Sequence, residues 1–270
     1  GDYRPSPVEL VSESGSWTTD FCYVNHELRE GSAPMTCGLP TAYGGDLTLV
    51  GTLRDAAAEL ELRLFYTTYP AEDVITRRAE LRCLRGYVNL KKLMSLSLDL
   101  AERELVMTTF TGGWICEAHR QDRAVKGTLI NESRTGFSSN RANPGFILSE
   151  RGADEQRGRV WGFNLVYSGG HMSCVSGDEH GSVRVMCGIS PDRFEWRLEG
   201  GESFETPEAV MCFSADGFGG MSRAMHDFVT RRIVRGRWAG RGRPVLVNAW
   251  EGFMFDFDAK RLLSLAKRAK

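Results

Sequence analysis

Arg243-Pro244-Val245-Leu246-Val247-Asn248-Ala249-Trp250-Glu251-Gly252-Phe253-Met254-Phe255-Asp256-Phe257-Asp258 is the stretch on which the reading of this chain turns. It opens with an apolar run, Val245 to Val247, passes through a loop around Trp250, and enters a segment of helical spacing that reaches Lys270. Leu262, Leu265, Ala266 and Ala269 form the apolar stripe of that helix. Asp258 stands where an N-cap belongs, and Lys267, Arg268 and Lys270 suit the negative end of the helix dipole. A buried strand followed by an amphipathic helix is half of a βαβ unit. Half a unit leaves apolar surface uncovered, so the pattern predicts that the unit continues beyond the residues at hand.

Working back from that stretch, residues 1–216 read as β. Glu59-Leu60-Glu61-Leu62-Arg63-Leu64 alternates charged and apolar residues, and Ser95-Leu96-Ser97-Leu98-Asp99-Leu100 does the same with polar ones. Trp161, Phe163, Leu165 and Tyr167 share one face, as do Val183, Val185, Cys187 and Ile189. Period-two alternation marks antiparallel strands with one buried face. Tyr43-Gly44-Gly45-Asp46, Ser168-Gly169-Gly170 and Glu199-Gly200-Gly201-Glu202 separate them as turns. The expected fold is therefore mainly β: a large antiparallel β-sandwich over 1–216, then a helix and linker over 217–243, then the strand and helix of 244–270. Met221, Ala224, Met225, Phe228 and Ile233 make the apolar stripe of the connecting helix, with His226 expected to be partly buried.

The 270 residues are 41% hydrophobic and 26% charged, ordinary for a globular protein, and carry a net charge of −1. That balance gives no general attraction to nucleic acid or to an anionic membrane, and no run approaches 18 apolar residues. The cysteines at 22, 37, 83, 116, 174, 187 and 212 are dispersed and form no CxxC pair. They predict buried, reduced thiols and a cytoplasmic setting.

Few residues announce chemistry. The histidines at 26, 119, 171, 180 and 226 lack zinc-ligand spacing, so no metal or cofactor is expected. Gly217-Phe218-Gly219-Gly220 precedes a helix but lacks the dinucleotide-binding spacing, and is expected to be a helix-start turn rather than an anion site. The arginines between 231 and 243 are expected to be a solvated helix end and linker, not an RNA contact. Trp250 and Asn248 follow the final strand, where an indole plane and a carboxamide suit a sugar ring; the same Trp250 would also serve as packing at a barrel mouth. Trp114, in Thr111-Gly112-Gly113-Trp114-Ile115-Cys116-Glu117, either projects from a strand end or lies in the sandwich core.

These residues resemble a family. Arg243-Pro244-Val245-Leu246-Val247-Asn248-Ala249-Trp250-Glu251 with Phe255-Asp256-Phe257 is similar to the first barrel strand and loop of the α-galactosidases of glycoside hydrolase family 36. Gly1-Asp2-Tyr3-Arg4, Gly38-Leu39-Pro40, Asp73-Val74-Ile75-Thr76-Arg77, Gly162 to Gly169, Phe194-Glu195-Trp196-Arg197-Leu198, Glu202 to Val210 and Gly219 to Ala224 resemble the same family in order. The resemblance implies a β-supersandwich followed by a (β/α)8 catalytic barrel. It implies retaining hydrolysis of terminal α-galactosides, of melibiose or raffinose type, with both catalytic aspartates outside these residues. No catalytic residue is then assigned here, and Trp250, Trp114 and Asn248 become the substrate-binding candidates. Galactose-containing oligosaccharides are the implied ligands and a homo-oligomer, a tetramer in the family, the implied assembly. Cys116 stands where the family pattern has Arg, Ala249 where it has Asn, and Asn140 where it has His. The other class of reading is an inactive carbohydrate-binding or oligomer-assembly sandwich.

Overall fold

Alternating side chains become strands here because one face of each finds a partner layer. The structure is a computed structural model describing residues 4–102, 104–139, 141–178 and 180–269. The family-like residues Gly1, Asp2, Tyr3 and Asn140, and the expected helix-end cation Lys270, lie outside the described residues. The first strands are β1 (Val8–Ser12), β2 (Cys22–Glu30), β3 (Leu47–Asp55), β4 (Leu60–Tyr69), β5 (Val74–Cys83) and β6 (Tyr87–Leu100). Next come β7 (Val106–Gly113), β8 (Cys116–Ala124), β9 (Thr128–Glu132), β10 (Ala142–Ser149) and β11 (Val160–Val166). The last are β12 (His171–Gly177), β13 (Val183–Ile189), β14 (Trp196–Glu199), β15 (Ser203–Glu205) and β16 (Glu208–Ser214). Helix α1 spans Gly217–Phe228 and runs into a π turn, Val229–Ile233.

The strands form two antiparallel sheets. One has six strands in the order β1-β6-β13-β12-β9, with β14 also on β6. The other has ten, in the order β2-β3-β4-β5-β16-β11-β10-β7-β8, with β15 also on β5. Leu96, Val175, Val183, Val185 and Cys187 from the first meet Met107, Phe146, Leu148, Phe163, Leu165 and Ala209 from the second. Phe146 stacks on Phe163 with centroids 4.8 Å apart. A second cluster joins Leu10, Leu90, Leu93 and Leu198 to Leu60, Leu62, Ala79 and Leu81. Each fully buried Leu, Val, Phe or Met among them contributes about 1.5–3 kcal/mol. The expected sandwich is thus present, and the faces read from alternation are the buried ones.

The ten-stranded sheet buries its other face as well. Phe218, Met221 and Phe228 of α1 pack there on Val74, Val160, Val210 and Cys212. Phe228 meets Tyr69 edge-on at 5.0 Å. The expected apolar stripe of α1 is this face, but His226 is exposed rather than partly buried, because it points off the stripe. The N–H groups of Phe218 and Gly219 donate to the Asp154 and Glu155 carbonyls at 2.9 and 3.0 Å. Gly217-Phe218-Gly219-Gly220 is therefore a helix start satisfied by backbone.

Beside α1, the loop of residues 31–46 is fastened by buried charge. Glu205 accepts the N–H groups of Thr36 and Cys37, and Glu208 accepts that of Ala42 and the Thr76 hydroxyl. Arg232 lies 3.1 Å from the buried Glu72 and donates to the Gly44 carbonyl at 2.9 Å; Arg231 lies 3.7 Å from Glu72. These two arginines belong to the fold and not to a free basic tract.

Four cysteines, 83, 174, 187 and 212, are buried, but Cys22, Cys37 and Cys116 are exposed and all seven are free. The expectation of buried thiols therefore fails at three positions: Cys22 and Cys116 lie on strands exposed along their whole length, and Cys37 lies in a loop. Burial pushes the Cys187 thiol up to about 12 and the Cys212 thiol to about 11.

By its internal contacts the chain divides into a unit ending at Ile233 and one beginning at Val234. In the second, helix α2 is the single turn Trp250–Phe253 and α3 spans Ala259–Ala269. Asp258 Oδ1 accepts the Arg261 N–H at 2.8 Å, the expected cap. The expected strand at Val245–Val247 is not in a ladder: among the described residues nothing pairs with 244–248, and Val245 and Leu246 are exposed. A strand needs a neighbour for its backbone groups, and a buried parallel strand needs one on each side.

Candidate functional site

Trp114 sits at the tip of the β7–β8 hairpin. Gly113 pairs with Cys116, which leaves Trp114 and Ile115 as a two-residue loop. Trp114 is 82% exposed and Ile115 nearly as much, so the indole projects and does not pack in the sandwich core. Ile115 has φ +61°, a left-handed conformation that a β-branched residue adopts only under constraint. Its N–H donates to Glu117 Oε1 at 3.1 Å. A Cβ on Gly112 would fall 1.9 Å from the Cys116 carbonyl oxygen, so only glycine lets the two strands close here. The register shifts between Thr111 and Gly113, placing two β8 residues against Gly112. Cys116 Sγ, where the family pattern has Arg, lies 3.1 Å from His119 Nε2.

Asn248 and Trp250 lie together in the second unit. Asn248 Oδ1 accepts the Trp250 N–H at 3.1 Å, an Asx turn that starts α2 and leaves the Asn248 amide N–H groups as donors. The Trp250 ring meets Phe255 edge-on at 4.9 Å and remains 44% exposed. Asp256 is held by Arg261 at 2.6 Å. Trp250 is thus braced by Phe255 and still partly open to solvent.

The third segment is residues 138–139 and 141–144, the approach to β10 and its first residues. Asn131 Nδ2 donates to the Asn143 carbonyl at 2.8 Å, and His171 Nε2 donates to the Ala142 carbonyl at 2.8 Å. His171 is buried and its Nδ1 has no hydrogen-bond partner among the described residues. Burial holds its pKa below the usual 6.5 against the pull of the Ala142 carbonyl and Glu132. Stability is then complete above pH 6.5, where folded and unfolded imidazoles are both neutral. Below that the unfolded chain takes up a proton first, and stability falls until the folded imidazole titrates. His171→Gln keeps an N–H for Ala142 but does not titrate. Thermal unfolding between about pH 7.5 and about pH 5.5 should show a smaller loss of stability in this variant than in the parent. Equal slopes would mean that His171 contributes nothing to the acid sensitivity.

Among the described residues no group of three or more His, Cys, Asp or Glu is placed to hold a metal ion. The sequence candidates Trp114, Trp250 and Asn248 are placed as described above; the structure sets Ile115, Cys116 with His119, and Phe255 beside them. Phe255 was visible as an aromatic five residues on; the Cys116–His119 contact depends on a bulge that spacing does not reveal.

The profile of the glycosyl hydrolase family 36 N-terminal domain matches residues 1–199, and a melibiase profile matches residues 203–270. The chain belongs to glycosyl hydrolase family 36. Within that family it is 37% identical to alpha-galactosidase AgaA of Geobacillus stearothermophilus, over 99% of this chain and 37% of that protein. It is 35% identical to alpha-galactosidase C of Emericella nidulans, over 100% of this chain and 36% of that one. The chain therefore spans a little over a third of the length of these family 36 relatives. A crystal structure of an AgaA variant in complex with raffinose superposes with a TM-score of 0.93 at 37% identity, covering 99% of this chain and 38% of that chain. The β-sandwich with the start of a barrel is the family 36 architecture over this part of the sequence.

Proposed function

We propose that this chain is part of an α-galactosidase that removes terminal α-D-galactosyl groups from oligosaccharides of the melibiose and raffinose type. Residues 1–216 serve as the supersandwich, 217–243 as the connector, and 244–270 as the first strand and helix of the catalytic barrel. The observation that carries the reading is that two family 36 profiles match in order along the chain, while a 37% identical relative is seen holding raffinose. The reaction proceeds with retention: one carboxylate attacks the anomeric carbon, and a second protonates the leaving oxygen and then activates water. Such a pair stands about 5–5.5 Å apart, and both members lie outside these residues. Trp250 offers its exposed indole to the C–H side of galactose and Asn248 donates to a hydroxyl; Trp114, in the sandwich unit, offers a sugar an exposed indole of its own. The protein works as a homo-oligomer in the cytoplasm, where its three exposed thiols stay reduced.

The test is kinetic. The 270-residue chain alone should not hydrolyse an aryl α-galactoside, whereas a longer protein carrying it should. In that longer protein, Trp250→Ala and Trp114→Ala should each raise KM about tenfold, equal to about 1.4 kcal/mol of binding. Turnover by the chain alone would place the carboxylates within it. Unchanged KM in both variants would return the two indoles to packing.

A further inference from the structure

β2 ends the ten-stranded sheet: it pairs with β3, and among the described residues no strand lies beyond it. All nine of its residues are exposed, and it contains no proline. An edge of this length invites pairing unless something occupies it. Leu28, 62% exposed, faces Leu49 across the ladder, and Leu47 and Ile75 are exposed on the same face. The edge is thus both unpaired and apolar at its middle.

The charges on β2 specify what fits. In an antiparallel pair about a two-fold axis normal to the sheet, opposed residues lie on the same face. Only axes through a residue satisfy this, and three pass near the strand centre. An axis at Glu27 sets carboxylate against carboxylate. An axis at His26 runs the ladder over the irregularity between Tyr23 and Asn25. An axis at Leu28 sets Leu28 against Leu28, Glu27 opposite Arg29 twice, and His26 opposite Glu30 twice. It uses only the regular part of β2, His26 to Glu30. Glu27 and Arg29 already form an ion pair within the strand, and Arg63 stands 3.5 Å from Glu27, so the four opposed charges join one network.

The geometry points to β2 of a second copy of this chain, paired antiparallel about Leu28, as the occupant of this edge. The inference rests on the self-association proposed above and names its contact. In sedimentation velocity the chain should form dimers or larger assemblies. Leu28→Lys sets two ammonium groups on the axis and should weaken assembly about a hundredfold, with an unchanged circular dichroism spectrum because Leu28 is exposed. Leu28→Cys, with Cys22, Cys37 and Cys116 replaced by Ser, should close a disulfide-linked dimer on mild oxidation, since opposed Cβ atoms lie about 4.5–5.5 Å apart. Arg29→Cys in the same background should not, because it faces position 27. A monomeric wild-type chain overturns both this contact and the self-association. An assembly that survives Leu28→Lys, or that cross-links equally at 29, overturns the contact and leaves self-association standing.

Discussion

Arg78→Met is expected to cost about 3–5 kcal/mol, because it strands a buried carboxylate. Arg78 is buried on the face of the sheet that carries α1. Its Nη2 donates to the Pro34 carbonyl at 2.8 Å, its guanidinium lies 3.7 Å from the Phe65 ring centre, and its Nη1 stands 3.6 Å from Glu205 Oε1. Burial pushes the Glu205 carboxyl up, but Cys37, the N–H groups of Thr36 and Cys37, and the Arg78 charge outweigh it and hold the pKa below the usual range. Burial also lowers the Arg78 pKa in spite of the surrounding carboxylates. Both partners have left water, so each depends on the other. Methionine keeps the apolar contact with Phe65 and removes only the charge and its hydrogen bonds. The melting temperature should fall by about 10 °C. Glu205→Gln added to Arg78→Met should recover much of the loss, since the carboxamide still accepts from the loop but carries no charge. A loss below about 1 kcal/mol for Arg78→Met, or a double variant no better than the single, would show that water reaches this pair.

What spacing could reveal followed burial. β4, β6, β11 and β13 each have one face in the inter-sheet core, and their alternation is complete enough to read residue by residue. β2 and β8 are exposed along their whole length, so no selection for an apolar face marks them. β8 exists because β7 templates it, from Val106 opposite Ala124 to Gly113 opposite Cys116. Val245-Leu246-Val247 shows the converse. Its composition is that of a buried strand, yet composition supplies no partner, and among the described residues it has none. The buried charges were out of reach for another reason. Glu205 is joined to Thr36 across 169 residues, and Glu72 to Arg231 across a comparable distance, contacts that only the folded sheet creates. The site was legible where a local rule applied. Paired glycines before Trp114 left a projecting and a buried indole both open, whereas Asp258 before an amphipathic run marked a cap. The strain at Ile115 and the Asn248 turn that aims Trp250 are backbone facts that residue type alone does not carry.

Gly217→Ala should be the most damaging conservative change at the start of α1, at about 3 kcal/mol or more. Two independent costs meet there. Gly217 has φ +69°, which alanine adopts at a cost of about 1–2 kcal/mol. Its missing Cβ would also lie 2.2 Å from the Asp154 carbonyl oxygen, 2.6 Å from the Arg157 nitrogen and 2.8 Å from the Gln156 nitrogen. All three are backbone atoms, and the turn that holds them is fixed by Asp154 Oδ1 accepting the Gln156 and Arg157 N–H groups. Relieving the overlap means moving α1 away from that turn, which breaks the bonds from Phe218 and Gly219 to its carbonyls and lifts Phe218 and Met221 from the sheet. Gly15→Ala separates the two costs. Gly15 has φ +80° but nothing within 4 Å of the new Cβ, so it should lose only the conformational part, about 1 kcal/mol. If thermal unfolding shows equal losses for the two variants, the turn at 154–157 yields, and α1 is docked by its apolar face alone. If Gly217→Ala loses far more, the glycine is what lets the helix begin against the sheet, and the direction in which the chain leaves the sandwich is set at that residue.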